Sequence, residues 1–258
     1  MNAAFNSRQL AILNQIRQEG RVLVEHLADA FGTTPQTIRR DLQILAETGE
    51  VMRFHGGASL LPGVEYLGID VRRAIAAEEK EAIGREAATR IPSNTMIMIN
   101  GGTTTAAVAR ALKQHSGMKI IVDNLSIADD LRAFPGVEVM VPGGTIRRSD
   151  GSILGEAALE FIRRFRADIA VVGAAAIDPE GTLLDFDLGE VNVARAMMTY
   201  AKHVILVVDS TKFMRSAPML MGNLSQVHTL VTDHCAHVSI RRICTDHEVE
   251  LIEALPRP

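Results

Sequence analysis

Residues 34–42, Thr-Pro-Gln-Thr-Ile-Arg-Arg-Asp-Leu, determine the architecture of the first part of this chain. Thr34 is a good helix N-cap, and Pro35 stands at the first helical position, where its missing N–H costs nothing. We therefore predict a helix from Pro35 to about Thr48. Gly49 follows it and suits a helix end.

This predicted helix has two faces of opposite character. On a wheel of about 100° per residue, one side is apolar and should face a core: Ile38, Leu42 and Leu45. The opposite side is polar: Gln36, Arg40, Gln43 and Glu47, flanked by Arg39 and Thr37. Glutamine and arginine can each make two hydrogen bonds to a base edge in the major groove. The pattern predicts a recognition helix, although a solvated surface helix also offers a polar face.

The neighbouring sequence predicts the rest of a DNA-binding unit over residues 1–58. A first helix should follow Ser7 as its N-cap, and a second should run from Val24 to Phe31 and end at Gly32. Residues 51–57 combine short β-forming sequence with a Gly-Gly turn, which is typical of a wing. Together these elements predict a winged helix-turn-helix. Its expected DNA contacts are Thr34, Gln36, Thr37, Arg39, Arg40, Gln43, Arg53 and His55.

The remaining sequence predicts an α/β domain. Residues 59–77 lack a sustained period and contain Pro62, Gly63 and Gly68, so we expect a linker there. From residue 78 to 258, apolar strand-like runs alternate with helical stretches. The runs are Met96–Ile99, Ile120–Val122, Val137–Val141, Ile169–Val172 and Val204–Val208. Continuous apolar strands separated by helices predict a mostly parallel sheet covered on both faces.

Composition excludes several classes of protein. The chain of 258 residues is 47% hydrophobic and 22% charged, which is ordinary for a globular protein. Its two cysteines, Cys235 and Cys244, form no disulfide framework, and three histidines near them lack ligands at metal spacing: His228, His234 and His237. We expect no metal and no other cofactor. Without a membrane-length apolar run or a signal-peptide pattern, a soluble cytoplasmic protein is expected.

The charge balance limits how the protein can hold DNA. Its formal net charge is −4, and residues 1–58 contain equal numbers of arginines and acidic residues. DNA contact must then depend on where the arginines lie. The small electrostatic attraction per subunit favours a homo-oligomer, a dimer or a tetramer, that shares phosphate contacts.

A candidate anion-binding loop lies in the second domain. Residues 100–105, Asn-Gly-Gly-Thr-Thr-Thr, follow the strand 96–99 and begin a helix. Glycines allow close backbone approach, and a helix N-terminus supplies N–H groups and the positive end of a dipole. The loop matches neither a P-loop nor a dinucleotide-binding turn. Such a turn is also common as a simple strand-to-helix connection.

The helix-turn-helix residues 22–41 and the sequence Arg53-Phe54-His55-Gly56-Gly57-Ala58 resemble the DeoR family of transcription regulators. The resemblance continues through the whole chain. It includes Gly143-Gly144, Asp150-Gly151, Gly155-Glu156, Ile177-Asp178, Asp185-Phe186-Asp187, Glu190, Arg195-Ala196 and Val208-Asp209-Ser210-Thr211-Lys212-Phe213. It implies a repressor that binds a double-stranded DNA operator and is released by a small phosphorylated metabolite, glycerol 3-phosphate or a sugar phosphate.

The same resemblance implies a sensor domain similar to sugar-phosphate isomerases. Gly102, Thr103 and Thr104 would then hold the phosphate, and Lys212 would add a positive charge. Three carboxylates would lie near the polyol: Asp185, Asp187 and Glu190.

Five residues depart from the family pattern and leave the effector's identity open. Asn100 replaces an aspartate, Asp123 stands where asparagine is common, Ala175 and Ala176 replace a Ser-Gly pair, and Ala194 replaces a lysine.

Two other functions are compatible with the sequence. One is a sugar-phosphate isomerase or lyase with an appended helix-turn-helix, in which the carboxylates serve as acid and base. No acid-base constellation is tied to the loop, so we assign no catalytic residue. The other is a protein-interaction winged helix. The outward amide and guanidinium groups fit base edges better than an apolar partner.

Overall fold

A computed structural model describes residues 5–19, 21–47, 51–54, 56–59 and 69–254. The chain divides into two compact units, Met1–Leu67 and Gly68–Pro258, and the division lies inside the predicted linker of residues 59–77. In the second half of that linker the structure has a helix, Ile69–Ala74. The predicted wing residue His55, together with Thr48 and Gly49, lies outside the described residues.

The first unit has the predicted order of helices and short strands. Its helices are α1 (Ser7–Glu19), α2 (Val24–Ala30) and α3 (Pro35–Glu47), and its strands are β1 (Arg21–Leu23), β2 (Met52–Phe54) and β3 (Gly57–Ser59). The strands form an antiparallel sheet in the order β1-β3-β2. A winged helix-turn-helix is therefore confirmed as the fold of this unit.

Two helix caps show how the sequence sets these elements. The Oγ1 atom of Thr34 accepts a hydrogen bond from the backbone N–H of Thr37 at 3.2 Å, as expected for the N-cap of α3. The N-cap predicted for α1 is wrong by one residue. Asn6, not Ser7, accepts from the backbone N–H of Gln9 at 2.9 Å, while the Gln9 side chain accepts from the Asn6 N–H at 3.0 Å.

The three helices share a small apolar core. Ile38, Leu42 and Leu45 are each 0% exposed, so the predicted inward face of α3 is confirmed. Asp41 is also buried and binds α1 through two hydrogen bonds. It accepts from Arg8 Nε at 2.6 Å and from Gln9 Nε2 at 3.0 Å.

The second unit is built on a sheet of seven strands. The strands are β4 (Met96–Ile99), β5 (Met118–Val122), β6 (Val137–Met140), β9 (Ala167–Val172), β12 (Ala201–Val207), β14 (Thr229–Thr232) and β15 (Glu250–Glu253). Their order is β15-β14-β12-β9-β4-β5-β6, and neighbouring strands are parallel. The predicted parallel sheet is confirmed, and two further strands at one edge, β14 and β15, were not predicted.

Helices and two small antiparallel sheets surround this central sheet. The helices are α4 (Ile69–Ala74), α5 (Ala77–Thr89), α6 (Thr103–Ala111), α7 (Leu125–Leu131), α8 (Glu156–Ile162), α9 (Leu188–Thr199) and α10 (Val238–Asp246), with 3₁₀ turns at Leu112–Gln114, Ser210–Lys212 and Leu224–Gln226. The small sheets are the hairpin β7 (Thr145–Ile146) with β8 (Ile153–Leu154), and β10 (Ala176–Ile177), β11 (Thr182–Asp185) and β13 (Met219–Asn223). Separate apolar clusters include alternate residues of the strands, such as Met98 in one and Ile97 and Ile99 in the other.

The strand order places a switch point between β4 and β9. The chain adds β5 and β6 on one side of β4, and then β9, β12, β14 and β15 on the other. In open α/β sheets, ligands bind outside the carboxyl ends of the strands at such a point. Within the described residues, no helix is both long and apolar enough to cross a bilayer.

Candidate functional site

The outward face of α3 is open to solvent. Gln36, Arg39, Arg40 and Gln43 are exposed, and Arg53 of the wing is exposed beside them. Gln43 is held in place from two directions. Its Oε1 accepts from Arg53 Nη1, and its Nε2 donates to Glu47 Oε1 at 2.8 Å. A pair of planar polar groups from the helix and the wing is thereby presented together.

The two threonines of the predicted DNA contact set have a structural role as well. The Oγ1 atoms of Thr34 and Thr37 lie 2.9 Å apart, and Thr34 caps the helix. Both hydroxyls lie at the N-terminus of α3, which begins at Pro35, and Thr34 is exposed while Thr37 is half-buried. A recognition helix enters the major groove with its N-terminal residues first.

In the second unit, the predicted anion loop joins β4 to α6 at the switch point. Gly102 precedes the first residue of α6, and no side chain caps the helix there. Thr105 is buried and its Oγ1 donates to the backbone oxygen of Asn100 at 2.7 Å, which fixes the loop. Thr103 is half-buried and Thr104 is 8% exposed. The first N–H groups of α6 are therefore available to an anion.

Close contacts explain the first glycine of this loop. A Cβ atom on Gly101 would lie 3.1 Å from Ser152 Oγ and 3.3 Å from Asn124 Nδ2. Asn124 is itself fixed, because its Nδ2 donates to the backbone oxygen of Asp150 at 2.9 Å. The loop thus lies close against the β5–α7 junction and the β7–β8 hairpin, and a side chain on Gly101 would require Ser152 or Asn124 to shift.

Two of the carboxylates predicted to face a polyol, Asp187 and Glu190, contact Arg147, an arginine that the sequence did not single out. Arg147 Nη2 contacts Glu190 Oε1, and Arg147 Nη1 lies 3.4 Å from Asp187 Oδ2. The same guanidinium donates to Asp150 at 2.9 Å from Nε and 2.5 Å from Nη2. Asp187 also caps α9 by accepting from the Glu190 N–H at 2.9 Å. Asp185 lies at the end of β11 and accepts from the Phe186 N–H at 2.7 Å.

The pKa values of these carboxyl groups reflect burial and their partners. Burial alone would raise the pKa of Asp150, but hydrogen bonds from Arg147 and Ser152 outweigh it and hold the pKa below its usual range. Burial raises the pKa of Asp185, against the opposing effect of the Phe186 N–H and nearby cations. Burial also raises the pKa of Glu190 to about 7. Contact with Arg147 favours the ionised form of Glu190.

Cationic side chains also lie near Asp185. Burial lowers the pKa of Lys212, and Asp209 and Asp185 oppose that effect. The Nη2 atom of Arg72, on α4, lies 3.7 Å from Asp150 Oδ2. Lys80 is 4% exposed, lies 3.7 Å from Asp209 Oδ2 and donates to the backbone oxygen of Arg72 at 2.6 Å. Lys212 thus has Arg72 and Lys80 as neighbours, and neither was predicted.

The family departures fall in different environments. Asn100 is 7% exposed and its Oδ1 accepts from the Gly173 N–H at 3.0 Å. Asp123 is 2% exposed, and burial raises its pKa to about 7. Ala176 and Ala194 are each 1% exposed and belong to the core, and Ala175 is half-buried. Only the first two of these changes place a polar group beside the loop.

The C-terminal histidines have ordinary partners. His228 Nδ1 accepts from the Val204 N–H at 3.0 Å, His234 Nδ1 lies 3.1 Å from Glu253, and the His237 ring lies 5.7 Å from the Phe213 ring. Within the ranges described, no cluster of His, Cys, Asp or Glu side chains is arranged to hold a metal ion.

Comparison with known proteins matches both units. A family model described as the DeoR-like helix-turn-helix domain matches residues 8–62, and one described as the DeoR C terminal sensor domain matches residues 75–234. The chain is 41% identical to the glycerol-3-phosphate regulon repressor of Escherichia coli (strain K12), over 95% of this chain and 97% of that protein. It is 38% identical to the HTH-type transcriptional repressor CsqR of the same strain, over 96% of this chain and 95% of that protein.

Among solved structures, the chain is similar to ribose 5-phosphate isomerase A from Methanocaldococcus jannaschii. The TM-score is 0.41 and the sequence identity is 14%, covering 54% of this chain and 55% of that chain.

Proposed function

The chain belongs to the DeoR family of DNA-binding transcription regulators, and on this premise we propose that it is a repressor relieved by a small phosphorylated sugar or polyol. Its relatives are named as repressors, not as enzymes, so the isomerase alternative is set aside. By analogy with them, its targets are genes of carbohydrate or glycerol-phosphate metabolism. It would act in the cytoplasm, on operator DNA.

The observation that carries the DNA-binding half is the two-sided character of α3. Its apolar side chains are 0% exposed in the core, and Gln36, Arg40 and Gln43 lie open on the opposite side. Amide and guanidinium groups in this arrangement can read adenine and guanine edges. We assign Arg39 and the wing residue Arg53 to the same interface, with Thr34 and Thr37 at the helix N-terminus, where backbone phosphates approach. His55 completes the proposed set from the sequence alone.

For the effector half, we propose that the phosphate binds at the N-terminus of α6. The backbone of Gly102 and the backbone and hydroxyl groups of Thr103 and Thr104 would donate to it, and Lys212 would supply positive charge. The hydroxyl groups of the effector would then meet three carboxylates: Asp185, Asp187 and Glu190. Because Arg147 already binds Asp187 and Glu190, the effector must share those carboxylates with it or displace it.

Effector binding would act on DNA binding by favouring one arrangement of the subunits. Helix α4 is the first element of the sensor unit in sequence, and its Arg72 lies 3.7 Å from Asp150, which also binds Arg147. We infer that a shift of Arg72 on binding starts the signal. A coupling free energy of ~1–3 kcal/mol would change operator occupancy about 5–150-fold.

Fluorescence anisotropy with DNA from the protein's own promoter tests the proposal. We expect binding that prefers this sequence over scrambled DNA and weakens when glycerol 3-phosphate or a sugar phosphate is added. A thermal-shift screen of phosphorylated polyols and sugars identifies the effector, since ligand at about 100 times its Kd stabilises by ~2.7 kcal/mol. Absence of sequence preference at low salt would refute the DNA-binding half. Size-exclusion chromatography with light scattering tests the proposed dimer or tetramer.

A further inference from the structure

The carboxyl group of Asp123 lies under the loop that precedes α6. Asp123 follows the last residue of β5, is 2% exposed, and faces the backbone N–H of Gly101. Its Oδ1 atom is buried and has no hydrogen-bond partner within the described residues. The backbone N–H groups of Gly101 and of Asp123 itself favour the ionised form, but burial outweighs them, and the oxygen that lacks a donor makes ionisation costly.

Within the described residues, the groups that favour the charge of Asp123 are backbone N–H groups and not cations. On its own strand end, the next residue is the neutral Asn124. From the β7–β8 hairpin, Asp150 adds a like charge. The cations nearest to that aspartate are already paired with it, Arg147 Nη2 at 2.5 Å and Arg72 Nη2 at 3.7 Å from its Oδ2. The loop before α6 contributes neutral groups, among them the Gly101 N–H that favours the ionised form.

We infer that the site takes up its anionic effector together with one proton from the solvent, and that Asp123 carries this proton. The inference rests on the proposed function, because the anion in question is the phosphate held at the N-terminus of α6. A phosphate at that loop and an ionised Asp123 beneath it would repel each other in a poorly screened site. Binding therefore stabilises the protonated acid, as a carboxylic acid kept neutral by its surroundings can be.

This coupling makes effector affinity depend on pH in a defined direction. When binding takes up one proton, the affinity falls by up to about tenfold for each pH unit above the titration of the group that accepts it. A site that bound the phosphate monoanion would show a similar fall, so the comparison with Asp123→Asn below is what assigns the proton. A phosphate monoester has its second pKa near ~6, so it is already a dianion above neutral pH.

Isothermal titration calorimetry of the full chain with glycerol 3-phosphate as the probe tests the inference. Titrations at about pH 6.5, 7.5 and 8.5, each in two buffers of different ionisation enthalpy, give both the Kd and the number of protons taken up. For the wild-type chain we expect proton uptake near neutral pH and a rise in Kd of roughly tenfold between the two higher pH values.

Two variants give the experiment its contrast. Asp123→Asn keeps the shape of the side chain without a titrating group, and we expect its Kd to change less than about twofold over the same range. Asp129→Asn, on the exposed face of α7, removes a carboxylate away from the loop and should keep the wild-type profile. Circular dichroism establishes that both variants are folded.

The outcomes are separable. Parallel pH profiles for the wild type and Asp123→Asn would overturn the inference and leave the proposed function standing. Binding by the wild type without proton uptake would overturn it without reference to any variant. Binding of the probe by neither protein at any pH would overturn the proposed effector site and this inference with it.

Discussion

The side-chain oxygen Oδ1 of Asn100 accepts a hydrogen bond from the backbone N–H of Gly173 across 3.0 Å. Asn100 follows β4 and Gly173 follows β9. These are the two strands between which the order of strand addition reverses. The bond therefore ties the two sides of the switch point together beside the loop proposed to hold phosphate. An amide makes this tie without the negative charge that an aspartate would bring.

Asn100→Ala should destabilise the sensor unit. The change leaves the Gly173 N–H without its acceptor, and an unsatisfied buried donor costs about 1–3 kcal/mol. Urea unfolding followed by circular dichroism measures the loss. Asn100→Asp keeps an acceptor oxygen at the position and should lose less, so equal losses in the two variants would contradict the role given to this bond.

Arg40→Ala should weaken specific DNA binding by about 1–3 kcal/mol while leaving the fold intact. Arg40 is exposed on α3 and takes no part in the core. Anisotropy titrations with promoter DNA measure the effect, and Arg242→Ala, exposed on α10, serves as the control. Unchanged affinity in Arg40→Ala would show that the reading face lies elsewhere.

Arg147→Ala should destabilise the sensor unit in a pH-dependent way. Its loss leaves Asp150 and Glu190 buried without their shared guanidinium, which we expect to cost about 2–3 kcal/mol at neutral pH, less than for a fully buried pair because Arg147 is 21% exposed.

The sign of this dependence follows from Asp150. Arg147 helps to lower the pKa of that carboxyl, so the stabilisation is present above the unfolded-state value and is lost as pH falls through the folded-state value. Thermal unfolding should show the two proteins converging below about pH 4. Arg147→Lys should recover only part of the loss, because lysine cannot make the bidentate contact. A difference that is constant with pH would count against this account.

Asp123→Asn should stabilise the unliganded protein at high pH. Burial raises the pKa of Asp123 to about 7, so between roughly pH 4 and that value the folded state keeps a proton that the unfolded state releases. Wild-type stability therefore falls across this window as pH rises. The variant should lack that fall and gain on the order of 2–4 kcal/mol relative to the wild type at pH 8. Unfolding measured at about pH 5 and pH 8 compares the two, and a gain equal at both would be inconsistent with the titration.

Gly84→Ala should disrupt the packing of α5 on α6. A Cβ atom there would lie 2.6 Å from the carbonyl carbon and oxygen of Ala107, both backbone atoms that cannot move aside easily. We expect a loss of about 1–3 kcal/mol despite the better helix propensity of alanine. Gly143→Ala is the matched control, because its Cβ would meet nothing within 4 Å. Equal thermal stability of the two variants would contradict the close approach of these helices.

The elements with a strong local pattern could be predicted from the sequence. The spacing of Ile38, Leu42 and Leu45 fixed the orientation of α3, and the apolar runs identified five strands of the large sheet. Strand β15 was missed because Glu250 and Glu253 interrupt its apolar character at both ends. The two-residue strands of the hairpin β7–β8 are too short to show a period.

The candidate effector site was predictable only in part. The glycine-threonine loop has a local signature, and the structure places it at a helix N-terminus. Arg72 and Arg147 were not foreseen, because each acts through a pair of residues far apart in sequence, Arg72 with Asp150 and Arg147 with Glu190. Arg147 pairs with Asp150 only three residues away, but that spacing does not indicate that the same guanidinium also contacts Glu190. The place of Arg72 and Arg147 at the candidate site is visible only from their tertiary contacts.

The pairing of Arg8 with Asp41 bears on how the regulator would search for its operator. An arginine paired with a buried carboxylate is less free to neutralise DNA phosphates, which leaves fewer arginines for that role in residues 1–58, where the formal charges balance. What remains at the interface is a few side chains aimed at base edges. Such a unit holds random DNA weakly and leaves it quickly. We expect residence on the chromosome to depend on sequence more than on bulk charge.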